Sequence, residues 1–186
     1  FINNLVSNVS SMIIYSKNRK YNSIILNYNP NFENLLEWYK QLVSESLGKK
    51  GKGILPIISN MPKDNHSTMQ LYLDGFKNNF FTFFFLKDRE SNKINNKELL
   101  DSHKFLKNKT INKIMYSQKL ATERVFLKKK IPFRSFDINK LDEKTLGELF
   151  CFFILETILI GKSLKVNPFD QPAVELIKEE TKKLLI

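Results

Sequence analysis

The run Phe80-Phe81-Thr82-Phe83-Phe84-Phe85-Leu86 carries one polar side chain in seven positions, and this constrains the fold more than any other stretch of the chain. A β-strand sends successive side chains to opposite faces. Here both faces are aromatic, so neither can meet water. Such a strand belongs at the centre of a sheet that is covered on both sides, the usual setting of parallel strands. The rest of the chain must therefore supply further strands and two covering layers.

The flanking patterns supply both. Ile2, Leu5, Val6, Val9, Met12 and Ile13 recur at helical spacing within residues 1–19. Ser23 to Tyr28 is a short apolar run before Asn29-Pro30 and reads as a buried strand and a turn. Asn29 or Asn31 can cap the next helix, which carries Leu35, Leu36, Trp38, Tyr39, Leu42 and Val43 and stops at Gly48. A basic, glycine-rich loop over residues 48–53 leads to a second strand, Ile54 to Ile58, and Pro62 to Asn65 is a turn. A short helix is expected from His66 to Leu73, ending at Gly75, and a loop over 87–97. Helices follow near 97–106 and from Ile111 to Lys128, then a strand, Pro132 to Phe136, and a long apolar helix opened by Leu141-Asp142-Glu143. Strands alternating with helices predict an α/β fold, a three-layer α/β/α sandwich around a mostly parallel sheet.

Composition excludes several classes. The net charge of +11 suggests phosphate binding, but the lysines are spread along the chain. The one tight run, Lys128-Lys129-Lys130, falls at a helix C-terminus, where cations complement the dipole. With no zinc pattern, basic-region helix or aromatic ribonucleoprotein motif, no nucleic-acid partner is expected. Leu149 to Ile160 is too short to span a bilayer and contains Glu156, so it reads as a core helix and no membrane association is expected. Cys151, the single cysteine, is expected to be a buried small hydrophobe in a reducing, cytoplasmic compartment.

Ligands of open parallel sheets collect at the carboxyl ends of the strands. The loops that could converge there hold Glu45, His66 and the segment from Gln171 to Lys178. Glu45 lies near the end of its helix, where the dipole disfavours its charge and suits a general base, while Lys49, Lys50 and Lys52 oppose that effect. An exposed helix-end glutamate is the competing reading. His66, at the start of a short helix, suits neutral proton transfer, or is a solvent-facing residue; His103 reads as a surface residue. Asp170 can cap the last helix, with Pro172 in its first turn. Gln171 then sits at the helix's positive end and Lys178 two turns on along the same face, which suits an anionic ligand or describes a capped surface helix. The glycine-rich loop lacks a Gly-Lys-Ser/Thr ending, no His/Cys cluster suggests a metal, and no serine is set up as a nucleophile.

Three of these stretches share wording with a known family. Asn167-Pro168-Phe169-Asp170-Gln171-Pro172, followed by Val174-Glu175 and Lys178, closely resembles the C-terminal signature of phosphoglucose isomerases. Glu45-Ser46-Leu47-Gly48-Lys49 is similar to the family's Glu-Ser-x-Gly-Lys stretch. His66-Ser67-Thr68-Met69-Gln70, running on to Gly75, is similar to its His-x-x-x-Gln segment. The order also matches, and the spacing looks like the compact bacterial branch.

The resemblance implies a sugar-isomerase (SIS-type) domain and the interconversion of glucose 6-phosphate and fructose 6-phosphate through an enediol, without a cofactor. It implies that His66 and Lys178 open the sugar ring, that Glu45 moves the proton between C2 and C1, and that Gln171 holds the sugar. It further implies a homodimer in which His66 serves the neighbouring subunit's site. The family's phosphate-binding Ser/Thr loop and enediolate-stabilising arginine have no match here. Residues 1–186 are thus expected to be a single C-terminal domain of a longer enzyme, nearly inactive in isolation. A sugar-phosphate-binding module without turnover is the alternative.

Overall fold

A computed structural model describes residues 1–88, 91–95 and 99–186. Its sheet has four strands, all parallel, in the order β2-β1-β3-β4. These are β1 (Asn22–Asn27), β2 (Leu55–Asn60), β3 (Asn79–Leu86) and β4 (Phe133–Ile138). The helices are α1 (Ile2–Lys17), α2 (Glu33–Leu47), α3 (Met69–Asp74), α4 (Ile111–Lys128), α5 (Glu143–Leu164) and α6 (Pro172–Leu184).

β3 is central and buried along its whole length, as its aromatic sequence requires. Its alternation sorts the core into two halves. Phe80, Phe84 and Leu86 pack with α1, α2 and α5, while Phe81, Phe83 and Phe85 pack with Met69 and Tyr72 of α3 and Phe126 of α4. Some rings meet edge to face, as between Phe81 and Phe126 at 71° or Phe83 and Phe126 at 70°, while Phe83 stacks on Tyr28 at 12° and Phe84 on Phe136 at 9°.

Local signals account for the ends of several elements. Asn29 accepts a hydrogen bond from the Asn31 amide and opens the 3₁₀ turn that leads into α2. Gly48 ends α2, and Asp142 caps α5 by accepting from the Thr145 amide. The lysine run does lie at the end of α4. The helix expected near 97–106 is a 3₁₀ helix over Asp101–Leu106. Residues 97 and 98, and residues 89, 90 and 96 of the expected loop, lie outside the described residues.

Two buried charged groups interrupt the core. Arg134 of β4 donates to Glu156 of α5 at 2.5 and 3.2 Å, to Thr82 at 3.0 Å and to Asn8 at 3.0 Å. Burial opposes the Arg134 charge, but the Glu156 carboxylate outweighs it and the guanidinium is held more firmly protonated than usual. Tyr39, also in contact with Arg134 at 3.4 Å, has its hydroxyl pushed well above its ordinary range by burial and then by Glu156. On the other face, Lys119 of α4 contacts Asp137 at 2.6 Å and Glu123 at 2.8 Å. Burial works against its charge as well, and the two carboxylates outweigh it.

Three expectations fail here. Cys151 is exposed, because α5 buries the face holding Leu149, Phe152, Phe153, Glu156 and Ile160 and turns position 151 outward. His66 does not open a helix: it ends the 3₁₀ turn Lys63–Asn65, and α3 begins only at Met69. Asp170 does not cap α6, whose N-cap is Gln171 with no side-chain capping bond. Among the described residues no helix is long and apolar enough to cross a membrane.

Candidate active site

α2 leaves the carboxyl end of β1 and returns antiparallel to the strands, so that the 48–54 connection can enter β2 at Leu55. Glu45, two residues before the end of α2, therefore lies at the end of the sheet where the strands begin. α5 likewise runs back from the end of β4, which brings the 165–171 loop to that same end.

There the two segments meet. The Gln171 Nε2 donates to Glu45 Oε2 at 2.6 Å, across 126 positions of chain. Gln41, one turn earlier on α2, donates to Oε1 at 3.0 Å. Gln41 is absent from the sequence-based candidates, although its i,i+4 spacing to Glu45 was a signal that could have found it. Each carboxylate oxygen thus takes one neutral amide donor and retains lone pairs for a ligand. Beside this pair lies a cleft of about 450 Å³ between Glu45, Lys49, Lys50, Asn167, Asp170 and the first turn of α6. That volume falls within the usual range for small-molecule sites.

Two of the three lysines that follow Glu45, Lys49 and Lys52, are engaged elsewhere. Lys49 and Lys52 flank a tight turn in which Lys50 and Gly51 have φ of 54° and 69°, values glycine adopts without strain. Lys49 Nζ donates to the carbonyls of Ser46 at 3.1 Å and Asn167 at 2.6 Å, and pairs with Asp170 at 3.1 Å. Lys52 Nζ donates to the Leu164 carbonyl at 2.7 Å at the end of α5. Neither ammonium is bonded to the Glu45 carboxylate, which is held by amides alone. This arrangement leaves the Glu45 carboxylate beside the cleft without a cation bonded to it.

The other candidates lie elsewhere, and the expected convergence at the carboxyl ends of the strands does not occur. His66 follows the carboxyl end of β2, so the strand's rise, roughly 16 Å, lies between its end of the sheet and that of Glu45. It is exposed and does not line the cleft. Its turn is ordered by Asp64, which accepts from the Asn60 amide at 2.8 Å and from Ser67 Oγ at 3.2 Å. Lys178 is exposed on α6, about 9 Å beyond the helix start, and pairs with Glu175 at 2.6 Å. Nor does it line the cleft. One chain therefore unites Glu45 with Gln171 and leaves His66 and Lys178 outside. Among the described residues, no group of three or more His, Cys, Asp or Glu could hold a metal.

A four-stranded parallel sheet flanked by helices, with a carboxylate beside a cleft of small-molecule size, defines an α/β sandwich domain that can hold a small ligand. The chain is related in sequence to glucose-6-phosphate isomerases. It is 39% identical over 165 residues to that of Mycoplasmopsis pulmonis, covering 87% of this chain and 39% of the relative. To the Methanocaldococcus jannaschii enzyme it is 32% identical over 163 residues, covering 87% and 40%. It thus spans about two fifths of the length of these relatives. No family model matches the chain. Among solved structures, a hypothetical protein of Thermus thermophilus superposes with a TM-score of 0.88 over 97% of this chain and 45% of its own, at 24% identity. A glucose-6-phosphate isomerase of Chlamydia trachomatis gives 0.72 over 89% and 34%, at 15% identity, and at these identities the likeness is one of fold.

Proposed function

We propose that this chain is the C-terminal sugar-isomerase domain of a longer, cytoplasmic glucose-6-phosphate isomerase. The supporting observation is the Glu45 carboxylate held on both oxygens by Gln41 and Gln171 beside a ligand-sized cleft. In this reading the cleft takes the sugar end of glucose 6-phosphate or fructose 6-phosphate. Glu45 removes the C2 proton to give the enediol and returns it to C1, without a metal or organic cofactor. Gln171 fixes the carboxylate and faces the sugar. His66 assists ring opening from a second copy of the chain, which fits its place at the opposite end of the sheet. Lys178 assists the same step once α6 is brought against the substrate.

The test is conversion of fructose 6-phosphate to glucose 6-phosphate by the reading frame extended upstream, beside its Glu45→Gln variant. Turnover should fall by about 10²–10⁴-fold in the variant, the range of a lost general base. The isolated 186-residue chain should be nearly inactive, because remote binding energy from a phosphate clamp drives such reactions. Equal turnover by Glu45→Gln would remove Glu45 from the chemistry. A second reading, a sugar-phosphate-binding module without turnover, draws on the absence of His66 and Lys178 from the cleft. It predicts substrate binding by the extended protein with no conversion.

A further inference from the structure

The turn between α2 and β2 is read most simply as a connection, yet both of its flanking lysines are committed to another part of the chain. Lys49 bridges the end of α2 and the 165–171 loop, with its side chain only 9% exposed and three oxygen partners around Nζ. Lys52 reaches the last carbonyl of α5, which the helix itself leaves unpaired. The two contacts bridge 118 and 112 positions of chain. Between them they hold both ends of the segment that carries Gln171. Gly53, at φ 149°, allows the close approach: a Cβ there would come within 3.2 Å of the Gly48 Cα.

We propose that Lys49 and Lys52 form a positioning clamp that presets the Gln171–Glu45 contact before any ligand arrives. This rests on the reading of Glu45 as the base, but the clamp itself can be observed without catalysis. Asp170 is part of it: the Lys49 ammonium, helped by the Asn167 amide at 2.9 Å, holds its carboxyl below the usual carboxylate range. Lys49 and Lys52 touch no reacting atom in this scheme. They act through the loop, by restricting where Gln171 can go.

The decisive measurement is the side-chain amide resonance of Gln171 in the ¹⁵N-labelled 186-residue chain. Glu45→Ala sets the position of the unpaired amide. Lys49→Met should move the signal most of the way to that position, and Lys52→Met part of the way. Lys49→Arg, which keeps the cation beside Asp170, should recover part of the shift. Asp170→Asn leaves the carbonyl contacts of Lys49 in place, so it keeps the test alive if Lys49→Met does not fold. It should move the signal in the same direction by less. An unchanged Gln171 signal in Lys49→Met, or in Asp170→Asn when the former does not fold, would overturn the clamp. In the extended enzyme, Lys52→Met should lower kcat at least threefold more than it raises KM, since it loosens the loop that holds the base and Lys52 does not line the cleft. A lost Gln171 contact with no isomerase activity in the parent enzyme would keep the clamp and sink the isomerase reading.

Discussion

The two ends of the sheet are built differently. Where the strands begin, segments far apart in sequence are tied together by side chains: Gln171 to Glu45, Lys49 to Asn167 and Asp170, and Lys52 to Leu164. Past the end of β2, the turn that carries His66 is held by side-chain bonds close by in sequence. Asp64 holds Asn60 and Ser67, within four residues of itself, and the His66 ring projects from that turn into solvent. The first end has a formed cleft beside Glu45, whereas the turn at the second leaves His66 exposed. If Glu45 is the base and His66 the proton-transfer group, as proposed, their places at opposite ends of the sheet require that each come from a different copy.

Subunit mixing tests whether the two ends act together. Extended enzymes carrying Glu45→Gln or His66→Asn should each lose about 10²-fold or more in turnover. After joint unfolding and refolding, half of random dimers pair one variant with the other. If His66 acts across subunits, each such dimer has one intact site, so activity should return to about a quarter of the parent value. If both residues act within one copy, mixing restores nothing, and the contrast between the ends would have no catalytic meaning.

The comparison also assumes that the body between the ends is stiff. Arg134 and Glu156 are its most demanding contact, because Glu156 is 1% exposed and any unpaired partner stays buried. Glu156→Gln should cost about 3–5 kcal/mol in denaturant unfolding, whereas Arg134→Met with Glu156→Leu should cost much less, since it buries no lone charge. An equal loss in the single and double variants would mean that packing rather than charge holds this region.

Much of the layering was legible because it follows from local pattern. The aromatic run could only be a central strand, and the helix caps at Asn29 and Asp142 are short-range chemistry. The site was legible only in part. Glu45 and Gln171 do meet, but the rule that ligands gather at carboxyl ends of strands led to the wrong end of the sheet. The alternation of strand and helix contained the correction: a residue near the end of a crossover helix must sit where the strands begin. Cys151 was misread because α5 is apolar on its outer as well as its inner face, so hydropathy could not say which side was covered. The roles of Lys49, Lys52 and Asp170 depend on contacts over more than a hundred positions, which no local pattern encodes.

The smallest effect concerns acid. The Asp170 carboxyl is held below its ordinary value of 3.8, first by the hydrogen bond from Lys49. A carboxylate with a depressed value in the folded state stabilises it above the unfolded value, and that contribution disappears as pH falls through the folded one. The chain should therefore be more stable than Asp170→Asn at neutral pH by a small margin, since the Asp170 side chain is half exposed and its charge is screened. That margin should persist at pH 5, narrow once pH drops below about 4, and close at still lower pH. Thermal unfolding of both proteins across this range measures it, and the general positive charging of the two at low pH cancels in the difference. A margin that stays constant with pH would mean that Asp170 stabilises the loop through hydrogen-bond geometry alone, and the clamp would then owe nothing to charge at that position.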